Sequence, residues 1–354
     1  MDKSKDLEVL YHYAAERRFK AFNELWAKAV SGGPDNEFPD AYLMRAQIKL
    51  FAADETFLED LETAGRIHAK SRFPCLNSQW LSDSPNRFIV FSKKPDALQR
   101  FLQRLPEAKD KMEHWFGKPG GNMVRQIQSE IFYFTGRFTE AINLAEEQQI
   151  MDSGNHTDEI LLQCVLFRCH LATGNTEKAE QNMLNMIRLS EAYPECRKSY
   201  QSIRTWANLT TGWSGDSPRF CNDFQGKTYP VLDDRQEAIR MGFDQITVLE
   251  TPFIEYAEHS YDQPYTMRQY YMDIFHALYW FQTSDFQQTE SHFLTVYNIA
   301  AASGLIMPLA EVGGHIIPLL QHIRDTSQVC SPELIGRILS LAEQYEENTE
   351  AYRG

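Results

Sequence analysis

The side chains best suited to chemistry are spread along this chain rather than gathered. Of its ten histidines, His259, His276, His292, His315 and His322 fall in the last hundred residues, yet they group only loosely. No H-E-x-x-H pair occurs, so no helix face offers two imidazoles and a general base at zinc spacing. Cys164, Cys169 and His170 lie close together, but a five-residue step on an expected helix sends the two thiols to different faces. Without a C-x-x-C pair, the six cysteines read as buried reduced thiols, which fit a cytoplasmic location. "FGKPGG" at 116–121 has glycines and a lysine but not the order that wraps phosphates with backbone N–H groups, and reads as a helix stop. There is no G-x-S-x-G elbow and no G-x-G-x-x-G fingerprint. Acidic pairs such as Glu146–Glu147 and Asp233–Asp234 fit solvated helix faces or caps. The expectation is a protein that is not an enzyme, with no catalytic residues, no cofactor and no metal site.

What remains is binding. Residues 256–281 carry Tyr256, Tyr261, Tyr265, Tyr270, Tyr271, Phe275, Tyr279, Trp280 and Phe281, too many aromatics for a single buried stripe. Packing between helices accounts for most of them. The sharper expectation is that Tyr265, Arg268 and Tyr271, with Trp213 and Arg219 from an upstream loop, edge a recognition surface. Aromatic and arginine side chains are the usual anchors of such surfaces.

The elements that must position these residues are helical hairpins. In "LATGNTEKAEQNMLNMI", residues 171–187, Gly174 closes one helix in the left-handed conformation. Asn175 or Thr176 caps the next. Ala179, Met183, Met186, Ile187 and Ser190 then recur at helical spacing along one face. "IFYFTGRFTEAINLAEEQQ" at 131–149 repeats the pattern, with Gly136 placed 38 residues before Gly174. In "LYWFQTSDFQQTESHFLTVYNIA" at 278–300, Ser284 takes the glycine's place 110 residues after Gly174, and Ser284 with Gln287 reads as a capping box. Gly212 in "ANLTTGW" lies 38 residues after Gly174 with no clear second helix behind it. "YAAERRFKAFNELWAKAV" at 13–30 is a weaker copy, Phe19 aligning with Phe138. Helix pairs at such a period are the sign of a tetratricopeptide-like α-solenoid, in which each hairpin needs its neighbours to complete a core.

The fold expected is therefore all-α, a single domain over 1–354 of stacked antiparallel hairpins. Two irregular elbows interrupt it, at about 71–97 and 212–234. They echo one another, "WLSDSPNRF" at 80–88 against "WSGDSPRF" at 213–220, and Asp-Ser-Pro is a turn-former. Near the C-terminus, Ser331 reads as an N-cap and Pro332 as a first helical residue. Leu334, Ile335, Ile338, Leu339, Ala342 and Tyr345 form the stripe that follows, and "EQYEENTEAYRG" reads as a polar tail that frays.

Composition bounds the partners. The 354 residues carry a formal charge of −14 with no segregated basic patch, which argues against direct contact with nucleic acid. The N-terminal "MDKSKDLEVLYHYAAE" lacks an apolar core of signal-peptide length. "NIAAASGLIMPLA" at 298–310 is broken by Gly304 and Pro308 and falls short of the ~20 apolar residues of a membrane span. The partner expected is a small-molecule effector or a protein segment, with no membrane contact.

One stretch resembles a known family. "ALYWFQTSDFQQTESHFLTVYNIAAASGLIMPLAEVGGHIIPLLQHI", followed by "LAEQYEEN", is similar to the end of the helical-repeat region of MalT-like regulators of the LuxR family. Ala302, Gly304, Pro308, Leu309, Ala310, Glu311, Pro318, Leu319 and Leu320 hold that pattern. Upstream, a "DSP…F" loop before a helix and "SEIFYFTGRFTEAINLAEE" match more loosely. The resemblance implies a repeat region that senses an inducer or partner in transcriptional regulation. The family's ATPase and helix-turn-helix domains have no counterpart in this sequence, so those activities are not carried over. The expectation is a non-catalytic effector- or protein-binding helical-repeat domain. The alternative is a general interaction scaffold unconnected to transcription.

Overall fold

A computed structural model describes residues 3–16, 18–30, 39–66, 71–76, 86–150, 156–211 and 264–353. The elbow at 212–234, with Gly212, Trp213 and Arg219, lies outside the described residues. The described chain is all-α apart from one short ladder. Among the described residues, no helix is long and apolar enough to cross a membrane.

The left-handed turns that end the helices organise the chain. The first half runs α1 (Lys3–Ala15), α2 (Phe19–Val30), α3 (Pro39–Phe51), α4 (Phe57–Arg66), α5 (Ala97–Phe116), α6 (Lys118–Phe134), α7 (Phe138–Ile150), α8 (His156–Ala172), α9 (Thr176–Ala192) and α10 (Arg197–Thr211). After β2 (Pro264–Thr266) come α11 (Met267–Gln282), α12 (Phe286–Ser303), α13 (Met307–Ala310), α14 (Ile317–Thr326) and α15 (Pro332–Arg353). Gly136, Gly174 and Ser284, aligned by sequence, all take positive φ, at 75°, 76° and 61°. Each turn is closed by the same two backbone bonds, such as Gly174 N–H to Leu171 and Asn175 N–H to His170. This is the double closure of a left-handed C-terminal cap. A further copy stands at Ala53, where no glycine marks the turn. Ala53 has φ 49°, and its N–H and that of Asp54 bond back to Leu50 and Lys49.

Local details correct or sharpen three expectations. The cap of α12 is Asp285, whose side chain accepts from the Gln288 N–H; Ser284 is instead the left-handed residue of the preceding turn, so its hydroxyl is out of place for capping. The full capping box belongs to Thr266 and Gln269, at the start of α11. Second, the helix stop expected at 116–121 is there but is one residue long. Gly117 separates α5 from α6, and Gly120 and Gly121 are buried in the first turn of α6. A Cβ on Gly120 would stand 2.4 Å from the Met112 carbonyl oxygen; hydrogen alone lets the helices approach that closely. Third, the C-terminal residues do not fray. α15 continues to Arg353, with Tyr345 and Thr349 buried and Asn348 donating to the Ala172 carbonyl at 2.9 Å.

Packing follows sequence order through α5–α6–α7–α8–α9, each helix lying against the next. The second half then turns back on the first. α12 packs on α5, α13 on α6, and α15 across α8, α9 and α10. β1 (Val90–Ser92) and β2 form an antiparallel ladder that pairs Phe91 with Tyr265. The main hydrophobic cluster among the described residues runs from Leu7 to Tyr345, beside a small one of Ala145, Leu162 and Leu166. The helical faces read from sequence are its lining. Ala179, Met183, Met186 and Ser190 are buried with Ile187 half-exposed, as are Ile335, Ile338, Leu339, Ala342 and Tyr345. Cys164, Cys169, Cys196 and Cys330 are buried free thiols, and burial pushes the Cys164 thiol up to about 11.

Candidate functional site

The densest polar chemistry lies inside the core, where α6 and α8 meet the segment before β1. Gln126, Glu130 and Tyr133 repeat at four and three residues along α6, which puts them on one face. Glu130 Oε2 accepts from the backbone N–H groups of Arg87 at 2.7 Å and Phe88 at 2.8 Å. Its Oε1 accepts from the Gln126 amide at 2.9 Å, which also reaches the Leu161 carbonyl. Asp158, in the first turn of α8, pairs with the Arg87 guanidinium. Ten residues on, Arg168 donates to Asn86, and its guanidinium lies 4.0 Å over the Trp206 ring. Glu311, just past α13, accepts from the hydroxyls of Tyr133 at 2.8 Å and of Tyr271.

None of these ionisable groups is more than 3% exposed. Burial pushes the Glu130 carboxyl up, against the pull of the Gln126 amide and the two backbone N–H groups. It pushes Glu311 up too, against the Arg168 charge and the two tyrosine hydroxyls. Buried charges are tolerated where they are paired and hydrogen-bonded. Three carboxyls, Glu130, Asp158 and Glu311, share the site with two guanidiniums, and burial disfavours the charged forms of Glu130 and Glu311. Chemically the cluster is a brace. It ties α6, α8, α11, α13 and the strand entry together, and no reactant reaches it in this arrangement.

The expected recognition surface fares differently residue by residue. Tyr265 and Tyr271 are both buried. The Tyr265 ring packs 5.8 Å from Phe91 and 6.4 Å from Tyr270, with its hydroxyl on Asp273. Tyr271 is bonded to Glu311 inside the brace. Arg268 sits in the first turn of α11. Trp213 and Arg219 lie outside the described residues. The aromatic excess was read correctly as pointing several ways. Tyr265, Tyr270, Tyr271 and Phe275 are buried and Tyr279, Trp280 and Phe281 partly exposed, while Tyr256 and Tyr261 lie outside the described residues.

Clefts open on the surface among the described residues. One, of about 320 Å³, lies between α9 and α15, with Met183, Leu184, Ile187 and Tyr352 along it and Glu177 and Glu180 on its rim. Leu184 is 40% exposed there, one of three large hydrophobic residues exposed among those described. Another, of about 600 Å³, lies between α4 and α5 and is lined by Leu61, Glu62, Arg66, Asp110, Lys111 and Trp115, a mixed-charge surface. Asp273, His276 and His292 are the one trio of metal-capable side chains that converges among the described residues. Sequence reading passed over it because the two histidines are sixteen residues apart on different helices.

No protein-family model matches the sequence, and no curated protein matches it. Among solved structures, the chain is similar to the P58(IPK) TPR domain at 12% identity, over 99% of both chains, with a TM-score of 0.28. A likeness of that size carries no argument about this chain, and none of these comparisons connects it to MalT-like regulators.

Proposed function

We propose that this protein is a non-catalytic, tetratricopeptide-like α-solenoid that binds a segment of another protein. The cleft between α9 and α15 is the observation that carries the reading. Its apolar floor repeats at helical spacing on α9, and one of its leucines is left in solvent. Its rim carries two glutamates on a chain of net charge −14. An apolar stripe edged by carboxylates fits a short amphipathic segment with lysine or arginine beside an aromatic or aliphatic anchor. The repeated left-handed turns at Ala53, Gly136, Gly174 and Ser284 support the repeat reading.

The test is fluorescence anisotropy with labelled peptides of that composition against the full chain and its Leu184→Asp variant. Binding that the variant loses, and that weakens with salt, supports the proposal. Equal binding by both proteins places the partner elsewhere. A thermal shift with sugars, nucleotides or aromatic metabolites, and no peptide binding, favours the effector reading instead.

A role in transcription rests on the family pattern between 277 and 347. Part of that pattern is accounted for by packing here. Gly304 caps α12 at φ 77°, and Glu311 anchors the brace. Fusing the chain to a reporter-based DNA-binding module and titrating peptide would test regulation directly; reporter output that ignores the peptide counts against it.

A further inference from the structure

Asp273 and His276 stand three residues apart on α11, a spacing that places both on one helix face. His292 comes from α12, the antiparallel partner in the same hairpin. One donor atom from each of the three lies within 4.8 Å of the others. The two imidazoles are 5.4 Å apart between ring centroids, inclined at 62°. A tetrahedral zinc ion with ligands at about 2.0–2.1 Å keeps them roughly 3.4 Å from one another. Closing that difference requires the side chains to rotate toward the ion.

The carboxylate is also held from outside. The Tyr265 hydroxyl donates to Asp273 Oδ2. Tyr265 belongs to β2, fixed by its pairing with Phe91 across the ladder, and its ring is packed in the core. Ligating carboxylates are typically oriented by just such an outer hydrogen bond. Four side chains on three elements therefore converge, three as ligands and one as a positioning residue.

We propose that Asp273, His276 and His292 form a binding site for a divalent first-row transition-metal ion of the zinc class, clipping α11 to α12 and leaving a fourth position to water. Two imidazoles and one carboxylate suit Zn²⁺, and Co²⁺ or Ni²⁺ as substitutes. Mg²⁺ and Ca²⁺ prefer all-oxygen shells and are excluded by this donor set. Sequence spacing gave no metal site, and the hairpin geometry supplies one.

The full chain, free of any histidine tag and stripped with chelator, is titrated calorimetrically with Zn²⁺ and with Mg²⁺. One Zn²⁺ per chain is expected, with no heat from Mg²⁺. His276→Gln and His292→Gln should each weaken Zn²⁺ binding by at least 100-fold, and Tyr265→Phe by about 10-fold at unchanged stoichiometry. Circular dichroism checks that the variants remain helical. The visible spectrum of the Co²⁺-loaded unmodified chain needs no variant: intense four- or five-coordinate bands are expected. No zinc uptake, equal uptake by the wild type and both histidine variants, or a weak six-coordinate Co²⁺ spectrum would overturn the proposal.

Discussion

Replacing Glu130 with alanine tests the brace where its bonds are most one-sided. In the native chain one carboxylate oxygen serves two buried backbone N–H groups, those of Arg87 and Phe88, and the other receives the Gln126 amide. Alanine leaves both backbone donors without an acceptor in a site closed to water, at about 1–3 kcal/mol each. The Gln126 bond is lost as well. Against this stands relief from burying a carboxyl whose charged form is disfavoured there. The balance is a destabilisation of about 3–5 kcal/mol, in the range for breaking a buried polar network. Urea unfolding followed by circular dichroism measures the total. Hydrogen exchange supplies the local reading: the Arg87 and Phe88 amides should exchange at least ~100-fold faster in Glu130→Ala. Glu130→Gln keeps an acceptor and should fall between the two. If Glu130→Ala lies within about 1 kcal/mol of wild type, with both amides still protected, Glu130 is not what holds the strand entry, and the account of the brace is wrong.

Three further predictions follow from the same structure. Burial raises the Glu311 carboxyl above its unfolded value, so the folded state holds more protons than the unfolded one, and this group's contribution to stability falls as pH rises from its unfolded pKa of about 4.3 through the folded value; the stability of Glu311→Gln relative to wild type should therefore grow with pH across that window in paired urea titrations, and a difference independent of pH would contradict it. Gly120→Ala meets the Met112 carbonyl and should destabilise by about 1–3 kcal/mol, whereas Gly336→Ala in α15 meets nothing within 4 Å and should stabilise by up to ~1 kcal/mol; thermal melts of the two side by side check the contrast. Ser284→Gly should stabilise by about 0.5–1 kcal/mol, because Ser284 holds φ 61° where its equivalents are glycine, and Gly174→Ala should cost about as much or more, since a Cβ there stands 2.7 Å from Asn348 Oδ1; equal melting temperatures for both variants would break the equivalence of the turns.

Much of the helical layout was legible because its signals are local. Gly136, Gly174 and Ser284 mark left-handed turns, and the stripes on α9 and α15 follow from spacing alone. The brace was not legible. Glu130 and Asp158 look like ordinary acidic residues on helices, and only the return of Arg87 to α6 and α8 shows them to be buried. Tyr265 and Tyr271 were misjudged for a related reason: an aromatic-rich helix reads as a surface when its neighbours are unknown, and α11 has neighbours on several sides. The trio at 273, 276 and 292 needed the antiparallel pairing of α11 with α12, which spacing on one helix cannot supply.

The reach of α15 across the middle helices has a consequence for how the chain acquires its structure during synthesis. Asn348 closes onto Ala172 over a separation of 176 residues, and Tyr133 onto Glu311 over 178. An array of self-sufficient units can fold as each leaves the ribosome, but α8 cannot complete its surroundings until the last helix has emerged. Nascent chains halted before that point carry an uncovered apolar face, the kind of surface that recruits chaperones or aggregates.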